Sequence, residues 1–239
     1  ILLIAIFFIV NFIITNRQAT HPIVHFHTLF SKKPFVGATM AISSHLTLLT
    51  GIAGINVYIV RILKLPFDIS LHFYFFFFVG VIITGILKMF FYSSVGAGFL
   101  GTLGSSALLY VSIHWIILGN TINIPLLYIQ GLLLGFGASM TLVSGSMATL
   151  LDGDLKEAAQ RSQTMHIMRN FSAAMLIPII AYTIKNHIQK GTQSIYAENI
   201  TDKMIYLKKL QDVAIDADHQ IFLLMIIFNM VMFVSSIIQ

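Results

Sequence analysis

Cysteine is absent from the chain, which excludes disulfides, thiolate metal sites and CxxC redox chemistry. Charge is nearly as scarce: Asp, Glu, Lys and Arg make up 10% of the residues, against about 25% in soluble domains. So few charges cannot clothe a water-facing surface. The nine acidic residues all fall between apolar runs or at their edges, so no carboxylate is expected inside a span. Lys and Arg outnumber them, 14 to 9, but are spread through loops rather than gathered in a stripe. That pattern excludes nucleic acid as a partner and suits anionic headgroups. The opening run, Ile1 to Thr15, lacks the basic leader and small-residue cleavage site of a signal peptide and reads as part of a span. His45, His114 and His166 stand singly, without acidic partners or HxxxH spacing, which argues against a membrane-embedded enzyme. No catalytic residue, resident metal or cofactor is expected.

What the chain has is apolar length. It is 57% hydrophobic, with 20 phenylalanines, and supplies several runs near the about 20 residues that cross a bilayer. Seven spans are expected in an all-α transmembrane bundle. They are Ile1 to Thr15, Phe35 to Leu63, Ser70 to Tyr92, Val95 to Leu118, Ile124 to Leu151, Gln163 to Ile184 and Ile221 to Ile238. A polar, basic loop (Asn16 to Pro34) separates the first two. Ser93-Ser94 and Gly119-Asn120 mark tight turns. The long polar segment Lys185 to Gln220 is expected outside the membrane. Within it Thr201 is placed to cap a short surface helix that carries Met204, Leu207, Leu210 and Ala214 on one face. Basic residues in the short loops (Arg17, Lys32 and Lys33; Lys88; Lys156 and Arg161) put that side in the cytoplasm, opposite Arg61 and Lys64. The chain opens and closes on apolar runs and is expected to be a piece of a longer one.

Small residues recur every fourth position: Gly37 and Ala41; Ala97, Gly101 and Ser105; Gly131, Gly135 and Ser139. Such stripes let helix backbones approach closely. His45 lies one helical repeat beyond Gly37 and Ala41, and with the Gly131 stripe it is the expected wall of a substrate cavity; its alternative use is an interhelical hydrogen bond. Gln130 and Asn56 are further cavity candidates, and Asn170 and Asn229 are amides suited to bonding between helices. Arg169 is the basic residue set within an apolar run, about four residues or roughly 6 Å from its edge. It is expected to snorkel to the headgroups, aided by Asp152 or Asp154, as an anchor or gate with Gly131 and Gly135. His21, His25 and His27 offer a weak metal-ligand pattern that also suits an interfacial connector, and Asn199-Ile200-Thr201 fits a glycosylation acceptor.

Three groups of residues carry a family resemblance. The loop His21-Pro22-Ile23-Val24-His25-Phe26-His27-Thr28-Leu29-Phe30, then Ser31-Lys32-Lys33-Pro34-Phe35, pairs a proline and a Leu-Phe ending with basic residues and an aromatic. Gly131 to Ser146 is a glycine-rich span. Arg169-Asn170-Phe171-Ser172-Ala173-Ala174 follows an arginine with small residues. Together they resemble the C-terminal half of the fourteen-span drug:proton antiporters of the major facilitator superfamily. The sequence departs from that pattern at His25 to Thr28, and between Gly85 and Tyr92, where the family's acidic residue is missing. The resemblance implies residues 1–15 as the end of a linker span, 16–34 as a cytoplasmic loop, and 35–239 as a six-helix transporter bundle with its long outer loop at 185–220. It further implies proton-coupled export of hydrophobic or cationic small molecules across a bacterial inner membrane, with the N-terminal half of the same polypeptide and the lipid bilayer as partners. An uptake transporter of the same fold, or a sensor or assembly protein that keeps the fold without transporting, are the alternative readings.

Overall fold

The computed structural model describes residues 7, 10–12, 14–16, 18, 19, 24, 26–29 and 31–239, apart from 120, 153 and 198–201. Among the described residues there is no strand. Five long helices follow one another: α1 (Lys32–Asn56, running on as the π-helical turn Val57–Ile62), α2 (Phe67–Ile116), α3 (Ile124–Leu151), α4 (Ala158–Ala197) and α5 (Lys203–Ile238). Each is long and apolar enough to cross a membrane. This is a helical bundle of the kind integral membrane proteins use, because lipid leaves backbone groups no partner outside the helix.

α2 is folded back on itself. Its 50 residues contain one non-helical position, Gly96, at φ 75° and ψ 174°, a conformation essentially reserved for glycine. The rings of Phe73 and Trp115 lie 6.3 Å apart, whereas the 42 residues from one to the other would cover about 63 Å in a straight helix. α2 is therefore two antiparallel arms, 67–95 and 97–116. Ser93 and Ser94, expected as the turn, are still helical; the reversal falls two residues later, where glycine permits it.

Pairwise contacts set the direction of each rod. Ser44 of α1 bonds Ala138 and Thr141 of α3 while Gly37 meets Gly145, so these two helices run antiparallel. Phe73 meets Gly131 and Thr84 bonds the Phe136 carbonyl, so the first arm of α2 runs parallel to α3. Gly104 meets Met140 and Trp115 bonds Gln130, so the second arm runs against it. Gly51 and Gly54 of α1 meet Met225 and Phe222 of α5, again antiparallel. Met165 and Leu176 of α4 pack in sequence along α1. The six rods alternate up and down in chain order.

α3 is the hub. A Cβ on Gly135 would lie 2.0 Å from the Phe77 carbonyl oxygen, one on Gly137 2.6 Å from that of Gly104, and one on Gly145 2.6 Å from that of Gly37. Three faces of one helix thus take the backbones of three neighbours, and each needs a residue without a side chain. Gly131 and Gly135 are filled against Phe73 and Phe77. This corrects the cavity-wall reading of that stripe: it is a seam.

The polar segment 185–220 also differs from expectation. α4 stays helical through Ala197, and α5 begins at Lys203 with Asp202 as its cap, accepting from the Met204 N–H at 2.8 Å. Met204, Leu207, Leu210 and Ala214 belong to the same helix as the last apolar run, with no break at Gln220. Thr201, the expected cap, lies outside the described residues, as does the Asn199-Ile200-Thr201 triplet. The two helices hold each other straight where Gly191 receives Val213.

Candidate functional site

The rods define two ends. The near end holds the start of α1, the Gly96 reversal and residues 152 and 154–158; the far end holds the π-turn of α1, residues 117–119 and 121–123, the end of α4 and the start of α5. Two polar clusters sit toward the far end, beside a core of Tyr58, Phe73, Trp115, Leu127 and Phe222.

The first centres on Asp218, which is 1% exposed and whose two carboxylate oxygens have no hydrogen-bond partner among the described residues. The residue is there because α5 is continuous. Ile215, Asp218, Phe222, Met225 and Asn229 recur at helical spacing on its buried face. Phe222, one turn on, fits against Gly54, and Tyr58, one turn beyond Gly54, stands close enough to feel the charge of Asp218. The Tyr58 hydroxyl donates to the Gly119 carbonyl. His219, next in the chain, donates from Nε2 to the Leu118 carbonyl at 2.8 Å. Two neighbours of the carboxylate thus hold the 117–123 connection by successive carbonyls. A carboxylate buried without a partner is stabilised by holding a proton or meeting a cation. Asp218 stands just ahead of the expected last span, yet the fold buries it.

The second cluster joins the end of α2 to α3. Trp115 Nε1 donates to Gln130 Oε1 at 2.8 Å, and Gln130 Nε2 lies 2.9 Å from His114 Nδ1. Indole nitrogen only donates, so the amide oxygen must face it, the amide nitrogen must face His114, and Nδ1 must accept. His114 is thereby a neutral imidazole with its proton on Nε2. Gln130 and His114 form one wall of a cavity of about 420 Å³ that also meets Leu118, Gly119, Thr121, Asn123 and Leu126.

No protein-family model matches the chain, and no curated protein does. Its function is therefore argued from these residues.

Of the expected cavity residues, only Gln130 lines this cavity. Asn56 stands beside the Tyr74 hydroxyl, bridging α1 to the first arm of α2. His45 is half-buried at mid-height of α1, three helical turns from Asn56. Its neighbour is Arg169, which also stands near His166. The structure does not bring the three candidates together.

Arg169 lies 11 residues into α4, about 16 Å along the rod from its start. Its Nε is buried and unbonded, and neither Asp152 nor Asp154 serves it. Asp152 accepts from Gln239, and Asp154 caps Lys156 at 3.0 Å. The anchor of that loop is Arg161, which sequence reasoning passed over. It is 1% exposed and donates to the Thr149 and Leu150 carbonyls at 2.9 and 2.8 Å, with Glu157 3.8 Å away. The signal was its place one turn into α4, ten residues beyond the end of α3, whose last carbonyls lack helical partners.

Among the described residues no three His, Cys, Asp or Glu side chains gather to hold a metal. His21 and His25 and the side chain of His27 lie outside them.

Proposed function

We propose that the chain is the C-terminal, six-span part of a proton-coupled secondary transporter of the major facilitator type, preceded by the linker span at 1–15, which exports hydrophobic or cationic small molecules across a bacterial inner membrane. The observation that carries this reading is Asp218, a buried carboxylate with both oxygens free, inside a bundle whose rods alternate in direction. A transporter needs a group that can exchange a proton as the bundle rocks. Asp218 is placed for it: its neighbours Tyr58 and His219 grip the 117–123 connection, so a change of charge there bears directly on a segment that links two rods. The Arg161-bound near end faces the cytoplasm in this reading. Arg169, beside His45 and His166, places a cation between α1 and α4, suited to an acidic residue from the N-terminal half.

The experiment is export of a fluorescent cationic dye from vesicles that contain the complete protein, driven by a pH gradient. Asp218→Asn keeps the shape and removes the exchangeable proton, and is expected to abolish gradient-driven export with the amount of folded protein unchanged. Asp218→Glu is expected to restore part of it. Gradient-driven export by Asp218→Asn at the wild-type rate sinks the coupling role, and no export by the wild type of any dye tried sinks the transporter reading.

A further inference from the structure

The far-end cavity has a chemistry of its own, which does not depend on transport. No charged side chain lines it among the described residues, and positions 114 to 130 contain no Asp, Glu, Lys or Arg. An anion finds no cation there. The helix start that opens onto it is already spent: Pro125 has no N–H, and Leu126 donates to the Asn123 side chain at 3.2 Å. A cation finds no carboxylate. Either ion would lose its hydration without compensation.

What the cavity does offer is a donor braced from behind. The Trp115, Gln130 and His114 relay admits a single arrangement of protons and leaves Nε2–H of His114 as the free end. Nδ1 is held by Gln130, while Nε2 has no partner among the described residues and is not among the buried unsatisfied atoms. Gln130 and Trp115 are 1% and 0% exposed, so the donor is braced by groups that solvent cannot rearrange. The side chains of Ile117, Ile122 and Leu126 supply apolar walls, and Thr121 and Asn123 a polar rim. We propose that this cavity binds a small uncharged molecule carrying a hydrogen-bond acceptor, such as an amide or ketone oxygen, received by His114 Nε2–H.

Trp115 is the only tryptophan in the chain, so its fluorescence reads the relay directly. The probes are benzamide, benzoate and benzamidinium, which have nearly one shape and differ in charge, titrated into the full chain in detergent. Benzamide is expected to change Trp115 emission saturably, and the two ions to give less than about a tenth of that response at equal concentration. His114→Phe removes the donor and is expected to weaken benzamide about tenfold, the worth of one hydrogen bond. Leu126→Phe narrows the cavity without touching the relay and is expected to weaken it as well. Equal responses to the three probes, no response to benzamide, or benzamide binding unchanged in Leu126→Phe each overturns the proposal, even if His114→Phe fails to fold.

Discussion

Arg161 meets a need common to all helix ends. The last four carbonyls of α3 have no partner within the helix, and two of them, Thr149 and Leu150, take the guanidinium instead. Arg161→Met leaves both unmet and is expected to destabilise the fold by about 2–4 kcal/mol, the usual cost of stranding buried acceptors. Glu157 is 45% exposed at its side chain and sits at 3.8 Å, so Glu157→Gln should cost less than about 1 kcal/mol. Melting curves in detergent separate the two. A loss as large for Glu157→Gln as for Arg161→Met would mean that the ion pair, not the carbonyls, holds the loop. Neither Arg161 nor Asp218 stood out in the sequence as a buried group, for one reason: both sit in polar stretches, where a charge looks solvated. Only the helical register shows Asp218 four residues before Phe222, on the face that packs against α1 and α2.

Between rods, glycine has separable uses, and three substitutions to alanine tell them apart. A Cβ on Gly135 would fall 2.0 Å from the Phe77 oxygen, so the helices must part; a loss of about 1–3 kcal/mol is expected from overpacking. At Gly96 nothing stands within 4 Å, but φ is 75°, so Gly96→Ala is expected to cost about 1–3 kcal/mol through the backbone alone. Gly85 is helical with open space around it, and alanine there should be neutral or stabilise by up to about 1 kcal/mol. Thermal stability of the three variants is the measurement; a destabilised Gly85→Ala would show that the first arm of α2 carries a neighbour on that face. The apolar runs made the rods legible, since each is long enough to be unmistakable. Which stripe met which was not, because a small residue records only that something comes close. The 185–220 stretch was illegible for a different reason: its helicity comes from α4 and α5 lying against each other, a contact that leaves little trace in composition.

For the whole molecule, the deciding question is whether α2 reverses in the membrane. α4 and α5, at 40 and 36 residues, span about 60 and 54 Å, well beyond a hydrocarbon core of about 30 Å, so they project past the bundle at the far end. Helix length therefore cannot give the topology, but the absence of cysteine makes a direct measurement possible, because any introduced thiol is unique in the chain. Lys33, Ser94 and Lys156 are exposed at the near end; Lys64, Thr121 and Lys190 are exposed at the far end. Replaced singly by cysteine and treated with a membrane-impermeant maleimide on intact cells, the far-end three are expected to react and the near-end three only after the cells are opened. The direction follows from the short-loop bias, which places Lys32, Lys33, Lys156 and Arg161 inside; Lys88 lies within the first arm of α2 and donates to the Ser139 and Met140 carbonyls. If all six exchange sides, the rods stand as described and only the orientation is inverted. If Ser94 and Thr121 react from the same side, the second arm of α2 does not cross, and the alternating six-rod bundle on which the role of Asp218 rests is wrong.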